Sequence, residues 1–234
     1  MTGRTIPLAL VVFAYNESVN VPSVLPDILS WLRARPGPFE LVFVDDGSTD
    51  ATETLARFVL ADDPRCRVIR HSHNLGIGAA LKSGYAATTL PWVTFLPCDG
   101  QIPPGELDAL CNATAADVRV VLSVYRARDD GIHRKALSAG VRALIWMVHG
   151  VHLRSDGPYL FRREIFDPTV LTPDTFFLNF EFPIRMLRAE EPMVTVTIAC
   201  IPRRLGESKS AGLGRIAGVA RDLFDLRLRL WHLR

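Results

Sequence analysis

Four short polar clusters hold most of the residues able to do chemistry, and each follows an apolar run. Ala14-Tyr15-Asn16-Glu17-Ser18 follows the first run and Asp45-Asp46-Gly47-Ser48-Thr49-Asp50 the second. His73-Asn74-Leu75-Gly76-Ile77-Gly78 follows the third, and Pro97-Cys98-Asp99-Gly100-Gln101 the fourth. A carboxylate such as Asp45 accepts hydrogen bonds from a base N–H or a ribose hydroxyl. Gly76 and Gly78 let backbone approach a ligand closely and open a helix whose N-terminus favours anions. Asp99 and Gln101 put two oxygen ligands on one turn, which suits Mg2+ or Mn2+ also held by diphosphate oxygens. A tight turn explains Asp99-Gly100 as well. The chain carries neither a G-x-G-x-x-G fingerprint nor a Walker A lysine motif.

The elements that must position these clusters alternate along the chain. Continuous apolar runs at Leu8 to Phe13, Leu41 to Val44, Val68-Ile69, Trp92 to Leu96 and Val118 to Val124 read as strands buried on both faces. Helical periodicity covers 20–34, 50–61, 76–89 and 104–116. Thr49 and Asp50 are plausible caps for the second helix, and Pro103-Pro104 suits a helical first turn. The expectation is an α/β fold, a mostly parallel Rossmann-like sheet flanked by helices. Ligands then bind beyond the carboxyl ends of the strands, where the four clusters converge. Past residue 125 the reading is a long amphipathic helix over 133–151, an irregular stretch through Phe161-Arg162-Arg163-Glu164, a helix over 177–190, a strand at Val194 to Ala199 and a last helix from 213.

Composition excludes several classes. The chain has 234 residues, 48% of them apolar, enough for a core without disulfide or metal staples. A net charge of +2 argues against a dedicated nucleic-acid binder. The four cysteines form no CxxC pair, so a reducing compartment is expected. No run reaches the roughly 18 apolar residues of a transmembrane helix, and the apolar run at the N-terminus is too short for a signal-peptide core. The expected location is cytoplasmic, with peripheral contact at the cytoplasmic membrane face. Residues 1–65 are acidic and the later chain basic, as if metal and anions were handled in different halves.

The segments FAYNESVNV, FVDDGSTDAT, HNLGIGAALKSGYAAT and CDGQIPP occur in that order. Together they resemble the family 2 glycosyltransferases of the GT-A fold, and among them the dolichyl- and polyprenyl-phosphate sugar synthases. YLFRRE and PRRLGESKS resemble later motifs of that group, so the likeness spans about residues 6 to 210. The resemblance implies a nucleotide-diphosphate sugar donor, Mg2+ or Mn2+, and inversion at the anomeric carbon. It places Ala14, Tyr15, Glu17 and Asp45 on the nucleoside, with Asp46 supporting that wall. Gly76, Lys82 and Gly100 join the donor site, and Asp99 and Gln101 hold metal and diphosphate. Arg204, Ser208 and Lys209 would lie on a loop closing over the diphosphate or the acceptor phosphate, because phosphate rewards charge-assisted hydrogen bonds. The family's D-x-D motif departs here, since Pro97 stands in its first position.

Asp156 in Ser155-Asp156-Gly157 is one candidate general base or acceptor-orienting group, or else a surface turn. Glu181 is the other, or else a structural acid near a helix terminus. Leu137, Val141, Leu144, Ile145 and Val148 with Arg134, Lys135 and Arg142, and Ile216, Leu223, Phe224, Leu230 and Trp231 with Arg215, Arg221, Arg227, Arg229 and Arg234, give two basic amphipathic helices. Such helices lie on anionic membranes, pack on a core or pair in a dimer. The implied organisation is a GT-A domain over 1–210, with a donor half to about 125 and an acceptor half over about 126–210, then an amphipathic helix over 211–234. The function expected is sugar transfer to polyprenyl or dolichyl phosphate. The alternatives are transfer to a soluble small molecule or saccharide, and a non-catalytic nucleotide-sugar-binding subunit with a degenerate D-x-D.

Overall fold

The computed structural model describes residues 5–61, 63–126, 132–171, 173–202 and 213–231. Its strands are β1 (Leu8–Ala14), β2 (Phe39–Asp45), β3 (Cys66–Arg70), β4 (Trp92–Pro97), β5 (Val120–Tyr125), β6 (Leu160–Arg162) and β7 (Met193–Ile198). They form a seven-stranded sheet in the order β3-β2-β1-β4-β6-β5-β7. Every pairing is parallel except those of β6, which runs antiparallel to both β4 and β5. The α-helices are α1 (Val21–Ala34), α2 (Thr52–Leu60), α3 (Ile77–Ala86), α4 (Leu107–Asn112), α5 (Ile132–His149), α6 (Leu178–Arg188) and α7 (Leu213–Trp231).

The unbroken apolar runs of β1, β2 and β4 follow from burial on both faces. Leu8, Leu10 and Val12 point into one layer with α1, while Ala9 and Val11 point into the other with α3. The first layer is closed by Leu25, Ile28 and Leu32 of α1. The second holds an aromatic cluster in which Tyr159 stacks on Phe182 at 5.1 Å and Tyr85 meets Phe161 edge-on at 5.1 Å.

The expected strands and helices are present, with one correction. The stretch read as irregular contains β6, slotted between β4 and β5 with Phe161 opposite both Val93 and Val120. Three residues are too few to show alternation, so only tertiary pairing reveals the strand. At the start of α2, Asp50 accepts the N–H and hydroxyl of Thr52 at 3.0 and 2.5 Å, a cap-like contact from one residue before the Ala51 cap position.

Helices α5 and α7 pack together. The ring Nε2 of His149 lies 3.0 Å from the Leu223 carbonyl, so this nitrogen carries the proton and donates. Burial pushes the His149 pKa down to about 4. The unfolded chain therefore binds a proton that the folded chain refuses between pH 6.5 and 4. The stabilisation is fully present above pH 6.5 and is lost as pH falls through that window. Thermal melts at a series of pH values should show Tm falling there, with a flatter profile in His149→Gln. Equal slopes would remove His149 as the cause.

Candidate active site

The polar clusters meet at the carboxyl edge of β1, β2, β3 and β4, because parallel register brings the strand ends side by side. Ala14 is opposite Asp45, Asp45 opposite Arg70, and Phe13 opposite Pro97. The backbone continues the ladder, with the Asp46 N–H donating to the Ala14 carbonyl at 2.9 Å and the Cys98 N–H to the Phe13 carbonyl at 3.0 Å.

Asp45 is fully buried. Its Oδ1 accepts the Ser48 N–H at 3.3 Å, while its Oδ2 has no hydrogen-bond partner. The Arg70 guanidinium stands 3.8 Å from that oxygen and is also engaged by Glu53. A buried carboxylate oxygen without a donor is costly unless a ligand supplies one. Asp46 differs. Its Oδ1 meets the His71 ring Nδ1 at 2.7 Å and the Leu75 N–H at 3.0 Å, and its Oδ2 accepts the Gly76 N–H at 2.9 Å. It is a brace for the β3–α3 loop.

Asn16 sits at φ +53, the left-handed region that Asn tolerates. Its N–H donates to Ser48 Oγ and its Oδ1 accepts the Thr49 N–H, both at 2.8 Å, which clamps the first two clusters together. Glu17 is buried and accepts Asn20 Nδ2 at 2.6 Å, so its carboxylate is engaged within its own turn. Tyr15 is partly exposed beside it.

In the fourth cluster, Asp99 Oδ1 accepts the Gln101 N–H at 3.0 Å. Gly100 takes φ +70 with Val24 close behind it. Among the described residues no three His, Cys, Asp or Glu side chains cluster as a metal site. Asp99 and Gln101 remain a hard-oxygen pair suited to Mg2+ or Mn2+ with diphosphate oxygens completing the shell. The Ile201 N–H donates to the Gln101 carbonyl at 2.8 Å, which brings the chain before residue 203 to this turn. Arg204, Ser208 and Lys209 lie outside the described residues.

Three expectations need correction. The start of α3 was expected to face an anion, but its Gly78 and Ala79 N–H groups donate to the Asp174 carbonyl at 2.9 and 3.2 Å. Gly76, at φ +100, and Gly78 have no room for a Cβ because the backbone of 173–175 lies against them. Lys82 Nζ is 2.6 Å from the Asp174 carboxylate rather than held open for a ligand. The glycines here serve chain packing. Glu181 is fully buried, with Arg185 at 2.7 Å on one oxygen and Arg229 at 3.2 Å on the other. It ties α6 to α7 and is closed to an acceptor. Asp156 lies beside β5, its N–H donating to the Ser123 carbonyl at 2.9 Å. Its Oδ1 is held by Arg142 at 2.7 Å. The sequence singles out neither His71 nor Asp174; the position of His71 just beyond β3 is the one available signal.

A family model described as glycosyl transferase family 2 matches residues 9–181, which includes all four clusters. The chain belongs to this family. An undecaprenyl-phosphate 4-deoxy-4-formamido-L-arabinose transferase of Aeromonas hydrophila is 27% identical over 92% of this chain and 66% of its own length. A dolichyl-phosphate beta-glucosyltransferase of Trichomonas vaginalis is 30% identical over 67% of this chain and 53% of its own. The chain thus spans about half to two thirds of the length of these curated relatives. Among solved structures, glucosyl-3-phosphoglycerate synthase from Mycobacterium tuberculosis, crystallised with Mn2+, UDP and phosphoglyceric acid, superposes with a TM-score of 0.70 at 23% identity. It covers 96% of this chain and 78% of its own, and the likeness shows a shared fold.

Proposed function

We propose that this family 2 chain is an inverting glycosyltransferase that moves a sugar from a nucleotide-diphosphate sugar to a polyprenyl phosphate. The observation that carries the acceptor class is the state of the two candidate bases. Asp156 is engaged by Arg142, and Glu181 by Arg185 and Arg229. A carboxylate held by a guanidinium has its lone pairs directed at that partner rather than at an acceptor hydroxyl. A hydroxyl acceptor requires a base, whereas a phosphate acceptor is already anionic and attacks without one. The activities named for the undecaprenyl- and dolichyl-phosphate relatives support this reading.

Asp45 would take the base or ribose through its buried open oxygen. Asp99 and Gln101 would hold Mg2+ or Mn2+, whose chemistry is to offset charge on the departing diphosphate. Arg142, positioned by Asp156, would attract the acceptor phosphate beside β5. The test is incubation with GDP-, UDP- and dTDP-sugars and Mn2+, offering undecaprenyl phosphate and, separately, 3-phosphoglycerate, with products weighed by mass spectrometry. A glycosylated lipid phosphate supports the reading. Product on 3-phosphoglycerate alone would move the function to a soluble acceptor. No product on either would favour a binding subunit.

Because Pro97 removes one anionic ligand, metal affinity should lean on Asp99. Asp99→Asn is expected to weaken Mn2+-dependent donor binding about tenfold with the fold intact, the scale of one charge-assisted contact. Calorimetry with and without Mn2+ reads this, and unchanged metal dependence would refute the role.

The reading also includes peripheral membrane contact. No helix among the described residues is long and apolar enough to cross a membrane. Of the expected amphipathic stripes, Ile145 and Leu223 are buried in the protein. The expected Phe224 of α7 is exposed, together with Leu228 of the same helix and Trp146 and Met147 of α5. Arg142 and Arg221 flank them and would meet anionic headgroups. The double variant Trp146→Ser, Met147→Ser should lower cosedimentation with anionic vesicles about tenfold or more, given roughly 1.5–3 kcal/mol per buried large apolar side chain. Undiminished cosedimentation would discard this face.

A further inference from the structure

His71 is the first residue past β3, and its backbone N–H extends the ladder by donating to the Asp45 carbonyl at 2.9 Å. Its side chain is buried, with ring nitrogens engaged on both sides. Nδ1 meets Asp46 Oδ1 at 2.7 Å, and Nε2 meets Ser83 Oγ of α3 at 2.9 Å. The Asp46 carboxylate already accepts two backbone N–H groups, from Leu75 and Gly76. A carboxylate in that setting accepts and does not donate, so Nδ1 carries the proton. In the neutral ring Nε2 then accepts from the Ser83 hydroxyl. The order Ser83, His71, Asp46 resembles a nucleophile relay, yet its carboxylate end is spent on holding a loop.

That loop shapes the donor wall. Gly47 sits at φ +69 with the His73 backbone pressed against the space a Cβ would fill. Asp46 bonds draw residues 71, 75 and 76 onto the turn that begins at Asp45. The placement of the buried Asp45 carboxylate depends on this turn keeping its shape. Hydrogen bonds to a buried carboxylate act as a unit, because a missing donor frees its rotamer and releases the other two contacts.

We propose that His71 is a positioning residue for nucleoside recognition, its Nδ1–H locking Asp46 and thereby the turn that presents Asp45. The inference rests on the donor-site reading above. It goes beyond that reading by giving a role to a residue that would not touch the donor.

The two amide substitutions of His71 separate its two nitrogens. In His71→Asn the side-chain NH2 falls near the Nδ1 position and keeps the donor to Asp46. In His71→Gln it reaches the Nε2 position and leaves Asp46 without it. The intact chain and both variants are titrated with UDP, GDP and dTDP by calorimetry, alongside thermal melts. For whichever nucleotide the unaltered chain binds, His71→Asn should bind within about threefold. His71→Gln should bind about 10- to 100-fold more weakly, the range of one hydrogen bond to a charged group. Equal binding by the two variants would overturn the proposal, since lost ring packing weakens both alike. Should His71→Gln fail to fold, Asp46→Asn supplies the comparison, with the same loss expected and normal affinity overturning the role. Failure of the unaltered chain to bind any of the three nucleotides would remove the donor-site reading itself, and the role of His71 with it.

Discussion

Replacing Glu181 with alanine should destabilise the protein by about 3–5 kcal/mol, the typical cost of removing one partner from a buried ion pair. Glu181 is fully buried, and Arg185 has a side-chain exposure of only 11%. Without the carboxylate, that guanidinium keeps its bond to the Val170 carbonyl but loses its counter-charge. Arg229, one third exposed, loses the contact that joins α7 to α6. Urea denaturation reads the loss as a lower midpoint, and turnover at a temperature where the variant stays folded reads the chemistry. A structural acid predicts low stability with near-normal turnover per folded molecule. A catalytic base predicts the reverse, most cleanly in Glu181→Gln, which keeps hydrogen-bonding capacity. A stable, inactive Glu181→Gln would return Glu181 to the reaction.

Asp45→Asn should have opposite effects on binding and stability. Donor affinity is expected to fall about 100-fold, since a bond between a ligand N–H or O–H and a charged acceptor is replaced by an amide that presents a donor to a donor. Stability should hold or rise by about 1 kcal/mol, because the native carboxylate is buried with one oxygen lacking a hydrogen-bond donor and only a loose 3.8 Å contact with Arg70. Arg70 loses little, as its close partner is Glu53. Calorimetry and a thermal melt on the same preparation give both numbers. Equal donor affinity in Asp45→Asn would remove Asp45 from the nucleoside wall. A large drop in Tm would mark it as a fold-stabilising group instead.

The two variants also show where sequence reasoning stops. Asp45 was legible because it ends an apolar run, and a strand buried on both faces delivers its first polar residues to the sheet edge. Glu181 sits in an equally suggestive position near the start of α6. Its partners are Arg185, one turn on, and Arg229, 48 residues away. Local spacing makes the first partner possible, but nothing local makes the second. Asp156 shows the same division, its Ser155-Asp156-Gly157 setting being local while its Arg142 partner is visible only once α5 is packed. Gly76 and Gly78 were read as a ligand's approach because a glycine pair opening a helix usually serves one. Here the approaching backbone is the chain's own, from residues 173–175.

By itself the sequence determined the α/β architecture, the strand-end clustering of Asn16, Asp45, Asp46 and Asp99, and membership of a glycosyltransferase family. The first two follow from periodicity and order, which are local properties of a chain whose parallel strands must bury both faces, and the last from the likeness of the four motif segments to that family. Only the tertiary structure decided that β6 slots in antiparallel, that Glu181 is locked between two arginines, and that His71 braces Asp46. It also showed which apolar residues of α5 and α7 face outward. Each depends on which residues meet across long separations, and there packing and buried-charge pairing outweigh any local preference.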